Sequence, residues 1–292
     1  MVVKGGNGRE MEIYYFSGTG NSLYVAKELQ NRVPETDLIP VVSLLEKDII
    51  ETNAETVGFV FPIHRMTIPI PVKKFLKKLN LKSASYIFAV ATRAGTQHVA
   101  FVEIDNILKK QGKILNSCFS INMACNDPRD KDWHPVTKEM IENIESEVRI
   151  RLNSIRKIIV NKENSREEYS ELTPAGYLLE HSLRLGLAYS EHRGTEDYFY
   201  SDSKCTGCGI CEKVCLSGKI KMIDKKPVWQ RGINCYLCYA CLNYCPVHSI
   251  QIKSRIYLKS YTEENERYCH PYATADDIAE QKSNSYKQGE MA

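Results

Sequence analysis

The chain has 292 residues, enough for about two domains. Its 43% hydrophobic and 26% charged residues are those of an ordinary folded protein, and a net charge of +3 gives no argument for nucleic acid or an anionic membrane as partner. No apolar run approaches the roughly 20 residues of a spanning helix, and the opening MVVKGGNGRE lacks the apolar stretch of a secretory signal, so the cytoplasm is the expected compartment.

Residues 12–16 predict a short buried strand. Ser17-Gly18-Thr19-Gly20-Asn21-Ser22 follows, then a helix to about Arg32 with Leu23, Ala26 and Leu29 on its apolar side. A strand, a Gly/hydroxyl turn and a helix N-terminus make an anion site, because successive backbone N–H groups converge where the helix dipole is positive. The turn has no Gly-Lys-Ser/Thr end and is not G-x-G-x-x-G. Without a lysine it suits a single phosphate held by neutral donors. The competing reading is a plain strand–helix turn with a Ser or Asn cap.

Further strands are predicted at 37–42, 56–61, 85–91 and 113–121, and helices at 70–79, 96–110 and about 135–160. This alternation predicts an α/β, doubly wound parallel sheet. Five strands fit the order 2-1-3-4-5, whose switch point holds a flavin. After strand five comes Asn122-Met123-Ala124-Cys125-Asn126-Asp127-Pro128, where Cys125 is read as an ordinary small residue ahead of an active thiol. Cys118 reads as a buried strand residue, and His98 and His134 as solvated ones.

Residues 135–193 read as a helical connector packed between two modules. Ile141, Ile144, Val148, Leu152, Ile155 and Ile158 form one stripe; 161–170 read as a loop; a second helix is expected over about 174–190 with Leu178, Leu179, Leu183 and Leu187.

Eight of the eleven cysteines repeat one spacing. Cys205, Cys208, Cys211 and Cys215 form a C-x2-C-x2-C-x3-C run, and Cys235, Cys238, Cys241 and Cys245 form a second, followed by Pro246. Two-residue gaps let a tight loop point three sulfurs at one small cube, and the three-residue gap swings the fourth away. Structural zinc favours C-x2-C pairs with a long spacer, and disulfides fit poorly with an odd number of thiols. Trp229, between the runs, reads as core packing. The tail from 253 is polar, with a capping box predicted at Thr274–Asp277 and disorder over 281–292. Cys269 and His270 have no partner at metal-ligand spacing.

The cysteine runs resemble those of a bacterial two-cluster ferredoxin, departing only where Leu216 replaces the usual Pro after the fourth Cys. That resemblance implies two 4Fe–4S clusters in which each fourth Cys serves the other run: Cys205, Cys208, Cys211 and Cys245 for one, Cys235, Cys238, Cys241 and Cys215 for the other. Residues 13–31 resemble the FMN phosphate loop and first helix of a flavodoxin, through Ser17, Thr19, Gly20, Asn21 and Ser22. Together the two halves resemble the flavodoxin–ferredoxin fusion proteins of anaerobic bacteria and archaea, over about residues 11–280. Arg267-Tyr268-Cys269-His270-Pro271 is similar to a motif in their tails.

The resemblance implies FMN held at Ser17–Ser22, with its ring between two loops. These are Pro62-Ile63-His64-Arg65-Met66-Thr67-Ile68-Pro69 and Thr92-Arg93-Ala94-Gly95-Thr96, neither of which carries an aromatic. His64, Arg65 and Arg93 would place cations near the flavin. The domains expected are 1–134 (FMN), 135–195 (connector), 196–255 (ferredoxin) and 256–292 (tail).

The function expected is an electron-transfer oxidoreductase fed by a low-potential donor such as a ferredoxin or another redox partner. The alternatives are an FMN-dependent reductase of a small-molecule acceptor (a quinone, nitro compound or unsaturated ring) and, behind it, a redox sensor. The sequence leaves a homo-oligomer open.

Overall fold

The computed structural model describes residues 11–64, 66–95, 99–166, 198–254 and 259–283, together with Leu178, Ser182 and Leu185. The expected second connector helix therefore lies outside the described residues, apart from those three.

Five parallel strands form the central sheet: β1 (Met11–Tyr15), β2 (Thr36–Pro40), β3 (Thr56–Pro62), β4 (Tyr86–Arg93) and β5 (Ser117–Asn122), in the flavodoxin-like order 2-1-3-4-5. Leu38, Ile13, Gly58, Phe88 and Ser117 stand side by side across it. The inner strands are apolar through their middles because both faces are covered, as parallel sheets require. Ile13, Val57, Phe59, Val60, Phe88 and Val90 are all buried. A short parallel ribbon pairs Ile50–Glu51 with Leu79–Asn80.

The crossovers are α1 (Asn21–Arg32), α2 (Ile70–Lys78) and α3 (Ala100–Lys109), and α4 (Lys138–Val160) follows the last strand. Pro71 opens α2, where a missing N–H costs nothing. Thr137 caps α4, its side chain accepting from the Met140 amide at 3.2 Å. The buried stripe of α4 (Val148, Leu152, Ile155, Ile159) joins the same core as the sheet, and α4 packs on α1 and β5. This helix covers a face of the sheet, whereas its sequence was read as a bracket between modules. An amphipathic stripe states that a face is buried, not against what.

Residues 198–254 form a small antiparallel unit. β6 (Phe199–Ser201) pairs with β9 (Ile250–Ile252), and β7 (Ile220–Ile223) with β8 (Lys226–Trp229). Two one-turn helices, α5 (Ile210–Lys213) and α6 (Ala240–Asn243), follow the cysteine loops. Finally α7 (Ala275–Glu280) carries the predicted capping box between Thr274 and Asp277.

The apolar core is continuous between the two units. Val214, Leu216, Ala240, Ala273 and Ile278 belong to one cluster with the sheet residues. Among the described residues no helix is long and apolar enough to cross a membrane.

Candidate redox site

The two cysteine loops follow one backbone path. Gly207 and Gly209 have φ of 72° and 79°; at the matching places in the second loop Leu237 and Tyr239 have φ of 51° and 55°. Two left-handed residues between three cysteines turn the chain sharply enough to wrap a small object. The first loop meets this need with glycine, and the second holds side chains there at a cost of about 1–2 kcal/mol each.

Each loop borders a cavity. One is lined by Cys205, Cys208, Cys211 and Cys245, with Met222, Val247 and Ile250 as apolar wall. The other is lined by Cys235, Cys238, Cys241 and Cys215, with Phe199, Trp229 and Tyr236. The structure thus brings each trio together with the fourth cysteine of the other run. Leu216, where a proline is usual, is buried and lies on the second cavity. Trp229 packs in the core, stacked on Phe199 at 6.0 Å, and also lines that cavity.

Among the described residues no three His, Cys, Asp or Glu side chains converge as ligands of a single ion. Four thiols at each cavity suit a cubane cluster, whose irons take cysteine ligands. Burial, reinforced by the neighbouring cysteines, pushes the Cys211 thiol up to about 11 and Cys238 to about 12. Cys241 is raised well above its usual range by the same causes. Such crowded thiolates call for positive charge at their centre, and the irons of a cluster carry it. Amide donors are aimed at the sulfurs as well: Leu237 N–H at Cys235 Sγ (3.3 Å) and Ser249 N–H at Cys245 Sγ (3.2 Å).

The anion loop lies between β1 and α1. Ser17, Thr19 and Ser22 are buried. Ser17 Oγ accepts from the Gly20 amide at 3.2 Å, and Thr19 Oγ1 from Asn126 Nδ2 at 2.6 Å, so both hydroxyls keep a proton to donate. Ser22 Oγ and Thr92 Oγ1 share one hydrogen bond at 2.7 Å, leaving a further proton between them. Among the described residues no group accepts from the Gly18, Thr19, Asn21 or Ser22 amides. Three hydroxyl donors and a fan of N–H groups at the start of a twelve-residue helix fit a phosphate.

The ring-loop candidates stand at the same sheet edge. Pro62 and Ile63 end β3 beside Thr92, whose carbonyl accepts from the Ile63 amide at 2.9 Å. Ala94 and Gly95 follow β4 directly. Arg65 and Thr96 lie outside the described residues, as does His98. Arg93 donates from Nε to Asn122 Oδ1 at 3.1 Å.

His64 departs from the expected cation. It closes a tight turn with Thr67 by two backbone hydrogen bonds of 3.0 Å, and its ring meets Phe16 edge-on at 5.9 Å. Burial outweighs the pull of Asp127 and the Tyr236 backbone and lowers its imidazole to about 4, so His64 is neutral at pH 7. An aromatic of the other module reaches this edge of the sheet. Tyr236, between the first two cysteines of the second run, meets Phe16 edge-on at 6.3 Å.

Other contacts were not legible in the sequence. A Cβ placed on Gly18 would stand 2.4 Å from the Cys238 carbonyl oxygen, so the phosphate loop and the second cysteine loop touch backbone to backbone. The tail closes the loop from another side. The His270 amide donates to the Thr19 carbonyl (2.8 Å), and the Tyr268 hydroxyl to Asn21 Oδ1 (3.0 Å). The His270 ring stacks on Tyr24 at 4.5 Å. Gln281, which the sequence placed at the start of a disordered end, is fully buried against Ser17.

Arg267 ties the tail to the ferredoxin-type unit. Its guanidinium donates to the carbonyls of Leu242, Asn265, Ile250 and Thr262 and to Gln251 Oε1, at 2.8–3.2 Å. Burial holds the Cys269 thiol up at about 12, against a hydrogen bond from Tyr244. The Cys125 thiol is likewise raised, first by desolvation, which agrees with an unactivated residue.

Comparison with known proteins gives the following. No curated protein sequence matches the chain. Among solved structures it is similar to an FMN-dependent NADH-azoreductase from Bacillus anthracis (10% identity, TM-score 0.34, covering 50% of this chain and 99% of that one). It is also similar to the Trp repressor binding protein from Bacillus subtilis (12%, 0.32, 49% and 96%). A third is rubredoxin oxygen:oxidoreductase from Desulfovibrio gigas (12%, 0.33, 52% and 36%). Residues 204–250 match the family model of the 4Fe-4S dicluster domain, and this part of the chain is accordingly an iron–sulfur domain of ferredoxin type.

Proposed function

We propose that the chain is an electron-transfer oxidoreductase that joins two 4Fe–4S clusters to one FMN. The sheet module runs through Val160, the ferredoxin module from Phe199 to Ile252, and the tail closes over both. One observation carries the reading: the second cysteine loop rests on the phosphate loop at Gly18 and Cys238. That contact supports a one-electron centre beside the two-electron site, with no diffusional encounter between them.

When bound, the clusters supply single electrons and FMN pairs them. The residues do the rest. Cys205, Cys208, Cys211 and Cys245 ligate the outer cluster, where Cys208 is exposed. Cys235, Cys238, Cys241 and Cys215 ligate the inner one. Ser17, Thr19 and Ser22 donate to the FMN phosphate, and the amides of Gly18, Thr19, Asn21 and Ser22 complete its shell. Pro62–His64 and Thr92–Gly95 flank the ring. Phe16, Tyr236 and neutral His64 keep that edge dry and add no cation.

The exposure of Cys208 would open the outer cluster's site to a low-potential donor protein such as a ferredoxin. Anaerobic purification should yield about eight irons and one FMN per chain. Reduction of the flavin by dithionite, reduced ferredoxin and NAD(P)H, compared side by side, tests the donor. Rapid full reduction by NADH alone would overturn it.

A further inference from the structure

The phosphate loop is shaped by residues far from it in sequence. Gln281 Oε1 accepts from the Ser17 amide at 3.0 Å, and Gln281 Nε2 donates back to the Ser17 carbonyl at 2.8 Å. The pair imitates two rungs of a β-ladder and is fully buried. It fixes the peptide of the first loop residue, turning the following amides outward. On the other flank, Asn243 lies in α6 between Cys241 and Cys245. It donates to the Asn126 carbonyl at 3.0 Å, and Asn126 donates to Thr19 Oγ1 at 2.6 Å. The Tyr268 amide donates to Asn243 Oδ1 at 3.1 Å, while the Tyr268 hydroxyl reaches Asn21. Gly20, at φ +98°, abuts Ala273 and His270: a Cβ there would stand 2.7 Å from Ala273 Cβ.

We propose that flavin affinity is coupled to cluster occupancy through this network, with Gln281 and Asn243 as positioning residues that hold the phosphate loop in its anion-binding shape. The inference rests on the FMN reading above. The physical reason is that α6 is one turn long and hangs from two cluster cysteines, Cys241 and Cys245. A helix that short has no stability of its own, so its geometry depends on what its cysteines bind. Losing the clusters releases Asn243, then Asn126, and Thr19 loses its orientation. By linkage, FMN in turn stabilises the cluster-loaded unit by the same factor.

The test compares dissociation constants of FMN and riboflavin, which lacks the phosphate, under anaerobic conditions. The proteins are the wild type and Asn243→Ala, each cluster-loaded and after iron chelation, and cluster-loaded Gln281→Met. Gln281→Met keeps the volume and removes both hydrogen bonds. It should weaken FMN by about tenfold, equivalent to roughly 1.4 kcal/mol, with iron content and riboflavin affinity unchanged. Chelation should weaken FMN in the wild type by a similar factor and have less effect in Asn243→Ala.

Equal FMN affinity before and after chelation would overturn the coupling. Equal losses for FMN and riboflavin in Gln281→Met would show general loosening and overturn the positioning role. Wild-type protein that holds iron but no FMN would instead refute the flavin reading itself.

Discussion

Gly18 and Cys238 are separated by 220 positions in the chain and by no side chain in space. A methyl on Gly18 would lie 2.4 Å from the Cys238 carbonyl oxygen and 2.9 Å from its Cβ. The glycine of an anion-binding motif is needed here for a second reason, the approach of a cysteine loop.

Gly18→Ala should therefore act on both modules. The obstacle is backbone and cannot swing away, so the loops must part. We expect about 1–3 kcal/mol of destabilisation, with FMN content falling below one per chain and slower flavin reduction through the clusters. Thermal unfolding and flash-induced electron transfer measure these. Unchanged transfer with bound FMN would separate the contact from the electron path.

Substituting single cysteines tests how the eight are shared. Cys215→Ser should abolish the signal of the cluster bounded by Cys235, Cys238 and Cys241, not that of its own run, because Cys215 lines that cavity. Cys245→Ser should do the reverse. Iron analysis with low-temperature EPR of the reduced protein would show about four irons remaining in each case. Signals lost within the mutated run would contradict the assignment.

Stability should be acid-sensitive through His270. Its ring is buried and stacked on Tyr24, and burial holds it to about 4 although Glu145 Oε1 lies 3.7 Å from Nε2. The unfolded chain therefore binds a proton that the folded one refuses between its ordinary value, about 6.5, and about 4. Stability is fully present above that window and falls as pH drops through it. His270→Phe keeps the stack and cannot titrate. Its unfolding free energy should decline less than that of the wild type from pH 6.5 to pH 5. Parallel curves would exclude His270 as the cause.

Arg267→Ala should cost more than a typical surface change. Four carbonyls and the Gln251 side chain lose a donor, and each buried acceptor left unpaired costs on the order of 1–3 kcal/mol. We expect a drop of several degrees in Tm and faster iron loss to a chelator. Arg267→Lys, with three donors on a point charge, should rescue only part of it.

What the sequence by itself determined was the local chemistry. The cysteine spacings specify cluster loops because ligands to one cube must lie within a few residues. Ser17–Ser22 specifies an anion turn because N–H groups converge there by backbone geometry alone. The strand–helix alternation specifies the sheet because burial on both faces writes itself into apolar runs, and β1 to β5 arise within a few residues of where that pattern puts them. Only the tertiary structure decided how these parts meet. The stripe of α4 did not say that it would cover the sheet, the imidazole of His64 did not say that burial would keep it neutral, and Gln281 looked like part of a polar end. Each outcome depends on which surface a residue finds across hundreds of positions, and desolvation and packing at that surface are absent from any local pattern.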